Sequence, residues 1–292
     1  MPRPIVVGVD GSHESLAAAD WAAREALRRG LPLRLLYADE ELGTGSGPPE
    51  SDASRYWADK VLRAAADRIE ECLPQVPLST ERVARPAAEA LVAAGSRAEL
   101  LVVGSRAFGG IGGFMAGSVA SATVARADRP VVLVRADRPP VDGPGVPDVS
   151  DPGVGRPVVV GVDAEQPCEE VPAFAFDAAA RRGSQLWVVA GWQLPLAVRP
   201  APEAVTAAQQ QDTERAVARI LDPWRAQYPA VVVRVLVVQG HPAQELLRTS
   251  REAALLVVGR RIRAPRLLPH TGPVTHAMIH HARCPVAVVP HR

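Results

Sequence analysis

The sequence predicts an α/β protein built as two tandem, doubly wound, five-stranded parallel sheets, each with strand order 3-2-1-4-5. Three observations predict it. One unit is written twice: Ile5-Val6-Val7-Gly8-Val9-Asp10 recurs as Val158-Val159-Val160-Gly161-Val162-Asp163, and Leu100-Leu101-Val102-Val103-Gly104 as Leu255-Leu256-Val257-Val258-Gly259. Arg129-Pro130-Val131-Val132-Leu133-Val134 then recurs as Cys284-Pro285-Val286-Ala287-Val288-Val289, and matches in the same order at near-constant separation mark an internal repeat. Within each copy, short Val/Leu runs alternate with helix-length segments, a pattern that calls for parallel strands joined by right-handed crossovers. The composition agrees: 47% apolar residues, mostly Ala, Val and Leu, with only 4% aromatic, suit strands buried on both faces under Ala-rich helices.

The elements follow in order. In the first copy, residues 4–9, 33–38, 78–83, 99–103 and 130–134 read as strands, their apolar runs nearly continuous as parallel strands require. Residues 12–29 read as a helix, with Ser12 as N-cap and Gly30 as its stop. Three more helices cover 52–72, 86–96 and 117–128, Pro86 suiting the first turn of its helix. Between them, residues 40–51 contain Gly43, Gly45, Gly47, Pro48 and Pro49 and read as a mobile loop. The second copy repeats this plan, with Pro202 to Gln227 as its long helix.

A length of 292 residues fits two domains: residues 1–137, a Pro/Gly-rich linker over 138–156, and residues 157–292. A linker of that length spans roughly 60 Å when extended. The last strand of each half, near 130–134 and 285–289, is an edge available for pairing.

The net charge is +1, which makes no electrostatic case for a nucleic-acid or membrane surface. Cys72, Cys168 and Cys284 lie far apart without CxxC spacing, against a disulfide framework or a zinc site. No apolar run approaches a membrane span, and the first residues enter a strand rather than a signal core. The expected location is cytoplasmic.

In such sheets ligands sit at the carboxyl ends of the strands, where the winding direction reverses. With strand 1 beside strand 4, two segments meet there: Gly8-Val9-Asp10-Gly11-Ser12, and the turn beginning at Gly104. That turn carries glycines at 104, 109, 110, 112, 113 and 117 before a helix starting near Ser118. Glycines let backbone N–H groups approach an anion, and the helix start adds partial positive charge. A hydroxyl at Ser118 suits both a helix cap and a phosphate donor. The alternative is a plain flexible βα loop.

At these residues the chain resembles a tandem universal stress protein. Val-Gly-Val-Asp-Gly-Ser, followed by Trp21-Ala22-Ala23 and Glu25-Ala26, is similar to that family, and so is Gly104-Ser105-Arg106 with Gly117-Ser118-Val119 further on. The resemblance covers both halves and implies a Rossmann-like fold of the adenine nucleotide alpha hydrolase-like kind. ATP, with Mg as a companion ion, is the implied ligand, and pairing through the last strands into an intramolecular pseudo-dimer or a homodimer is the implied assembly. ATP-binding members carry Gly, two residues, Gly, nine residues, then Gly and Ser or Thr. Gly104, Gly117 and Ser118 match, while the second glycine is Ala107. The resemblance implies that Gly8, Val9 and Asp10 lie near the ribose and phosphates or a metal. It places the backbone of Ala38 at adenine, and makes Gly104, Ser105, Arg106, Ala107, Gly109 and Gly110, with Gly117, Ser118 and Val119, the phosphate cradle. If Ala107 only has to adopt a left-handed backbone, the cost is about 1–2 kcal/mol, a weakening of roughly ten- to thirtyfold. If its methyl enters the phosphate path, binding is abolished.

The second half departs further. Ile262 stands where the second glycine belongs, Gly272-Pro273 replaces Gly-Ser, and Asp163-Ala164-Glu165 replaces Asp-Gly-Ser. Proline also removes an N–H donor. Arg260, Arg261, Arg263 and Arg266 read as a solvated basic loop. Neither a Gly-Lys-Ser/Thr P-loop nor a Gly-x-Ser-x-Gly elbow is present, which removes P-loop hydrolysis and the common hydrolase version of this sheet. His276 and His280 stand at i, i+4 near His270, His281 and His291, without a Cys or carboxylate in register, and read as helix-surface residues rather than a metal site. His241 before Pro242 reads as structural. Three functions remain: an ATP-binding stress or regulatory protein that acts by binding rather than catalysis; an interaction scaffold with decayed sites; and an ATP-using adenylating enzyme, for which catalytic motifs are missing.

Overall fold

The computed structural model describes residues 2–39, 52–105, 117–136, 155–194, 202–262 and 271–292. The glycine-rich 40–51 segment and most of the linker, both singled out above, lie outside them, as do Arg106, Ala107, Gly109 and Gly110. The chain divides into two compact units. In the first, β1 (Ile5–Gly8), α1 (His13–Arg29), β2 (Leu33–Ala38), α2 (Asp52–Cys72) and β3 (Leu78–Val83) are followed by α3 (Ala87–Gly95), β4 (Leu100–Ser105), α4 (Ser118–Arg126) and β5 (Val131–Arg135). Parallel pairing of β1 with β2 and β4, of β2 with β3, and of β4 with β5 gives the order β3-β2-β1-β4-β5.

The second unit repeats it with β6 (Val158–Val162), α5 (Glu170–Arg182), β7 (Leu186–Trp192), α6 (Glu203–Gln227) and β8 (Val233–Gln239). Then come α7 (Pro242–Thr249), a 3₁₀ turn (Ser250–Glu252), β9 (Leu255–Arg261), α8 (Pro273–His281) and β10 (Val286–His291). Its sheet runs β8-β7-β6-β9-β10, again parallel.

The central strands are apolar because both their faces are covered. Ile5, Val7, Leu100, Leu101 and Val102 are fully buried, as are Val158, Val159, Val160, Leu255 and Val257. Helix α1 packs on β1, β4 and β5, and α3 on β1, β2 and β4. Strand alternation puts α1 and α3 on opposite faces: a side chain at Gly8 would point at Leu91 of α3, and one at Gly104 at the first turn of α1. Both α1 and α5 end on a left-handed glycine, Gly30 (φ 63°) and Gly183 (φ 59°), a conformation cheap only without a Cβ.

Two local expectations need correction. Pro86 does not enter the first turn of α3; it is the N-cap, with φ −51° and ψ 135°. Its ring fixes φ and leaves ψ free to stay extended, so the chain turns helical one residue later. Arg260 and Arg261 are not in a solvated loop, because β9 continues through both, and Arg260 is buried.

Candidate functional site

The β1–β4 neighbourhood is the switch point of the first unit. Ile5, Val6 and Val7 lie opposite Leu100, Leu101 and Val102, so the chain leaving Gly8 and the chain leaving Gly104 emerge side by side at the carboxyl edge. The first segment is held by a compact polar network. Val9 N–H donates to Leu36 O (2.9 Å), and Asp10 Oδ1 accepts from Ser12 N–H (2.9 Å). Ser12 Oγ caps α1 by accepting from Ser15 N–H (3.2 Å), and the Ser15 hydroxyl donates to Ser12 O (2.9 Å) while accepting from Asp10 N–H (3.3 Å). One carboxylate and two hydroxyls thereby fix the turn from β1 into α1, and Asp10 itself stays exposed.

Gly104 has a packing reason to be glycine. A Cβ there would sit 2.7 Å from the carbonyl carbon and oxygen of Glu14 and 2.8 Å from Ser15 N. All three are backbone atoms, so the first turn of α1 lies directly on β4. Ser105, on the other face by alternation, is 1% exposed and its hydroxyl has no hydrogen-bond partner. At Ala38, which ends β2 opposite Val83, the backbone reaches the same edge.

Helix α4 starts one residue earlier than a Ser118 cap would require. Its N-cap is Gly117, at φ −58° and ψ 160°, and no side chain caps the helix. Ser118 is the first helical residue and its side chain is exposed; Val119 follows at half-burial. The physical reason is that Ser118 already has helical geometry, whereas a cap residue must stay extended for its oxygen to reach back to the N2 or N3 amide. Gly117 is not glycine for conformational reasons, since φ −58° suits any residue, nor for packing: nothing lies within 4 Å of a Cβ built there.

The same edge of the second unit is furnished differently. Asp163 Oδ1 accepts from the amides of Glu165 and Gln166 (both 3.0 Å), and α5 begins only at Glu170, so the turn of helix that covers Gly104 has no counterpart. Over Gly259 lie instead the His291 imidazole, with Nε2 2.8 Å from an added Cβ, and Val171 at 3.1 Å. Buried Arg260 stands at the position of Ser105, and Trp192, 3% exposed with an unpartnered Nε1, at that of Asp39. Pro273 replaces Ser118 as the first residue of α8, and Thr275 Oγ donates to Gly259 O (2.6 Å). Cys168, at the position of Ser15, has its thiol pKa pushed up by burial and opposed by a hydrogen bond from Val171 N–H. From the sequence His291 stands only with the α8 histidines and Trp192 is not singled out; no motif marks either role.

The His276 and His280 rings lie 4.3 Å apart between centroids, tilted by 46°, and among the described residues no cluster of three or more His, Cys, Asp or Glu is placed to hold a metal. His241 is the N-cap residue of α7 and its Nδ1 lies 3.0 Å from Gln193 Nε2. Among the described residues no helix is long and apolar enough to cross a membrane.

With this geometry established, comparison with known proteins is direct. The sequence model of the universal stress protein family matches twice, over residues 1–135 and 155–290. The chain belongs to the universal stress protein family. A universal stress protein of Mycobacterium bovis is 32% identical over 292 residues, covering 97% of this chain and 96% of its own. The crystal structure of a universal stress protein from Archaeoglobus fulgidus superposes with a TM-score of 0.66 at 14% identity, covering 98% of both chains, which speaks for the fold alone. A shorter universal stress protein solved in complex with cAMP matches 46% of this chain and 97% of its own at 29% identity, with a TM-score of 0.36.

Proposed function

We propose that the first unit binds ATP at the carboxyl ends of β1, β2 and β4, and that the protein is a stress-response or regulatory protein acting through nucleotide-dependent binding rather than turnover. The observation that carries this reading is Gly117. It stands before a helix without a side-chain cap, and no described residue lies within 4 Å of where its side chain would begin, so the first amides of α4 are suited to phosphate oxygens. Ser105 adds a buried hydroxyl without a partner, Asp10 a fixed carboxylate suited to a ribose hydroxyl or a phosphate-bound Mg, and Ala38 a strand-end backbone for the base. The remaining cradle residues in this reading are Arg106, Ala107, Gly109 and Gly110. Nothing in the described part of the site supplies a nucleophile–base pair of the kind that drives phosphoryl or acyl transfer.

The second unit is assigned no nucleotide in this reading, because His291, Arg260 and Trp192 already occupy the equivalent positions. The same substitutions favour a scaffold role for that unit. Extraction of purified protein for bound nucleotide, followed by calorimetric titration with ATP, tests the proposal: a single saturable site per chain in the micromolar range is expected. A nucleotide-free protein that shows no binding heat leaves the scaffold reading in its place.

A further inference from the structure

The second unit has an open groove of about 470 Å³ at the opposite end of its sheet, the amino-terminal edge. Its lining comes from four places. Gly155, Arg156 and Pro157 lead into β6, and Gln185 and Trp187 begin β7. Arg234 is near the start of β8, and Arg251 with Glu252 closes the 3₁₀ turn before β9. We propose that this groove is a separate binding site for a small phosphorylated molecule with a planar part, the phosphate held by Arg156, Arg234 and Arg251 and the planar part set against Trp187.

Charge is the first support. Three arginines and one carboxylate residue, Glu252, line the groove, and among the described residues none of the three arginines makes an ion pair. Most other arginine–carboxylate contacts in this unit are side-by-side helix pairs, such as Arg181 with Asp177 (2.7 Å) and Arg215 with Asp212 (3.2 Å). Three unpaired forks converging on one groove leave an excess of two positive charges, the complement of a phosphate monoester dianion. Guanidinium groups bind such oxygens bidentately and bear partial desolvation better than an ammonium does.

Pre-organisation is the second. Trp187 is half-buried, and its indole N–H donates to Gln185 Oε1 (3.2 Å). Arg234, its cross-strand partner in register, places its guanidinium carbon 5.8 Å from the ring centroid. The ring and one cation are thus positioned before any ligand arrives. The volume is far more than a lone phosphate needs and lies within the range of small-molecule sites.

The third support is that the groove is not a general feature of the fold. In the first unit Arg34 stands at the position of Trp187 and Ser79 at that of Arg234, and Arg34 is already paired with Glu81 (3.0 Å). Ser96 and Arg97 replace Arg251 and Glu252. The aromatic floor and the free cations occur together only in the second unit.

Phenyl phosphate, inorganic phosphate and benzyl alcohol are suitable probes, followed by Trp fluorescence and equilibrium titration on the full chain. Phenyl phosphate is expected to saturate, to bind more tightly than inorganic phosphate, and to change a fluorescence component that disappears in Trp187→Phe; benzyl alcohol is expected not to bind. Arg234→Ala and Arg251→Glu, at exposed positions, should leave the melting temperature in place and each weaken phenyl phosphate by roughly tenfold or more, while Gly117→Val should leave it unchanged. Three outcomes overturn the proposal: no saturation at millimolar probe, binding indifferent to both arginine variants, or binding removed by Gly117→Val. The last would put the probe in the first unit, and the ATP reading stands or falls separately by its own titration.

Discussion

The two units share strand order, a left-handed glycine that ends the first helix, and the central-strand pattern, yet the carboxyl edges of their sheets are built differently. In the first, α1 begins immediately after Ser12 and its backbone rests on Gly104. In the second, the helix starts later and side chains fill the vacated volume: His291 over Gly259, Arg260 at the end of β9, Trp192 at the end of β7. The difference teaches that conserving a glycine position does not conserve what it does. Gly104 meets backbone and Gly259 meets a ring that can move. The edges at the other end of the sheets reverse the pattern, with Arg34 neutralised by Glu81 in the first unit and free arginines around Trp187 in the second.

The helix after the first strand extends the comparison into stability. Glu25 is fully buried and accepts from Arg28 (3.1 Å) and from Arg29 Nε (2.6 Å), the latter side chain only 6% exposed. Its counterpart in α5 is buried Ala178, and the arginines there turn to Asp177 Oδ1 and to the Ala178 carbonyl. Glu25→Ala therefore leaves buried positive charge behind and should cost about 3–5 kcal/mol, read as a loss in denaturant midpoint of the first unit's transition. Asp177→Ala, at a half-exposed pair, should cost under about 1 kcal/mol. Equal losses would refute the contrast.

Gly104→Ala and Gly259→Ala probe the packing difference itself. The first forces a methyl against immovable backbone and should destabilise by about 1–3 kcal/mol. The second displaces an imidazole and should cost clearly less, with His291→Ala relieving what remains; thermal melts of the two single variants and the double variant decide it.

The smallest effect is a pH-dependent one confined to the second unit. The hydrogen bond from Arg248, with help from Thr249, holds the Glu245 carboxyl below its ordinary value. A lowered folded pKa contributes stability that is present above the unfolded value of about 4.3 and is lost as pH falls through the folded one. Arg248→Ala should flatten that acid limb by slightly lowering stability at pH 7 while leaving stability at acid pH unchanged, an effect kept small because the Arg248 side chain is largely solvent-facing.

Most of the fold was legible because the signals were local and redundant. Val runs bounded by Gly or Pro gave the strands, Ser12 and Gly30 gave the limits of α1, and the repetition of Ile5–Asp10 and Leu100–Gly104 gave the tandem plan. The candidate site was legible only as far as its glycines and hydroxyls. Gly104 looked like a ligand residue while its missing Cβ serves the α1 contact, a relation between residues ninety positions apart that spacing does not encode. Trp192, and the place of His291 over Gly259, escaped notice because filling a cavity needs only bulk at the right strand end. The arginine groove escaped for a related reason: Arg156, Trp187, Arg234 and Arg251 are scattered in sequence and meet only because four parallel strands begin at one edge.

The central claim, that one edge is open for nucleotide and the other is filled, is tested most directly by titrating ATP into the parent chain, Gly117→Val and Gly272→Val. Both glycines are N-caps at nearly the same backbone angles, φ −58° and −59°, with nothing within 4 Å of an added Cβ, so both variants should fold, each losing no more than about 1 kcal/mol of helix stability. The account predicts that Gly117→Val abolishes ATP binding and Gly272→Val leaves the parent affinity intact. Binding that survives Gly117→Val and disappears in Gly272→Val would contradict it.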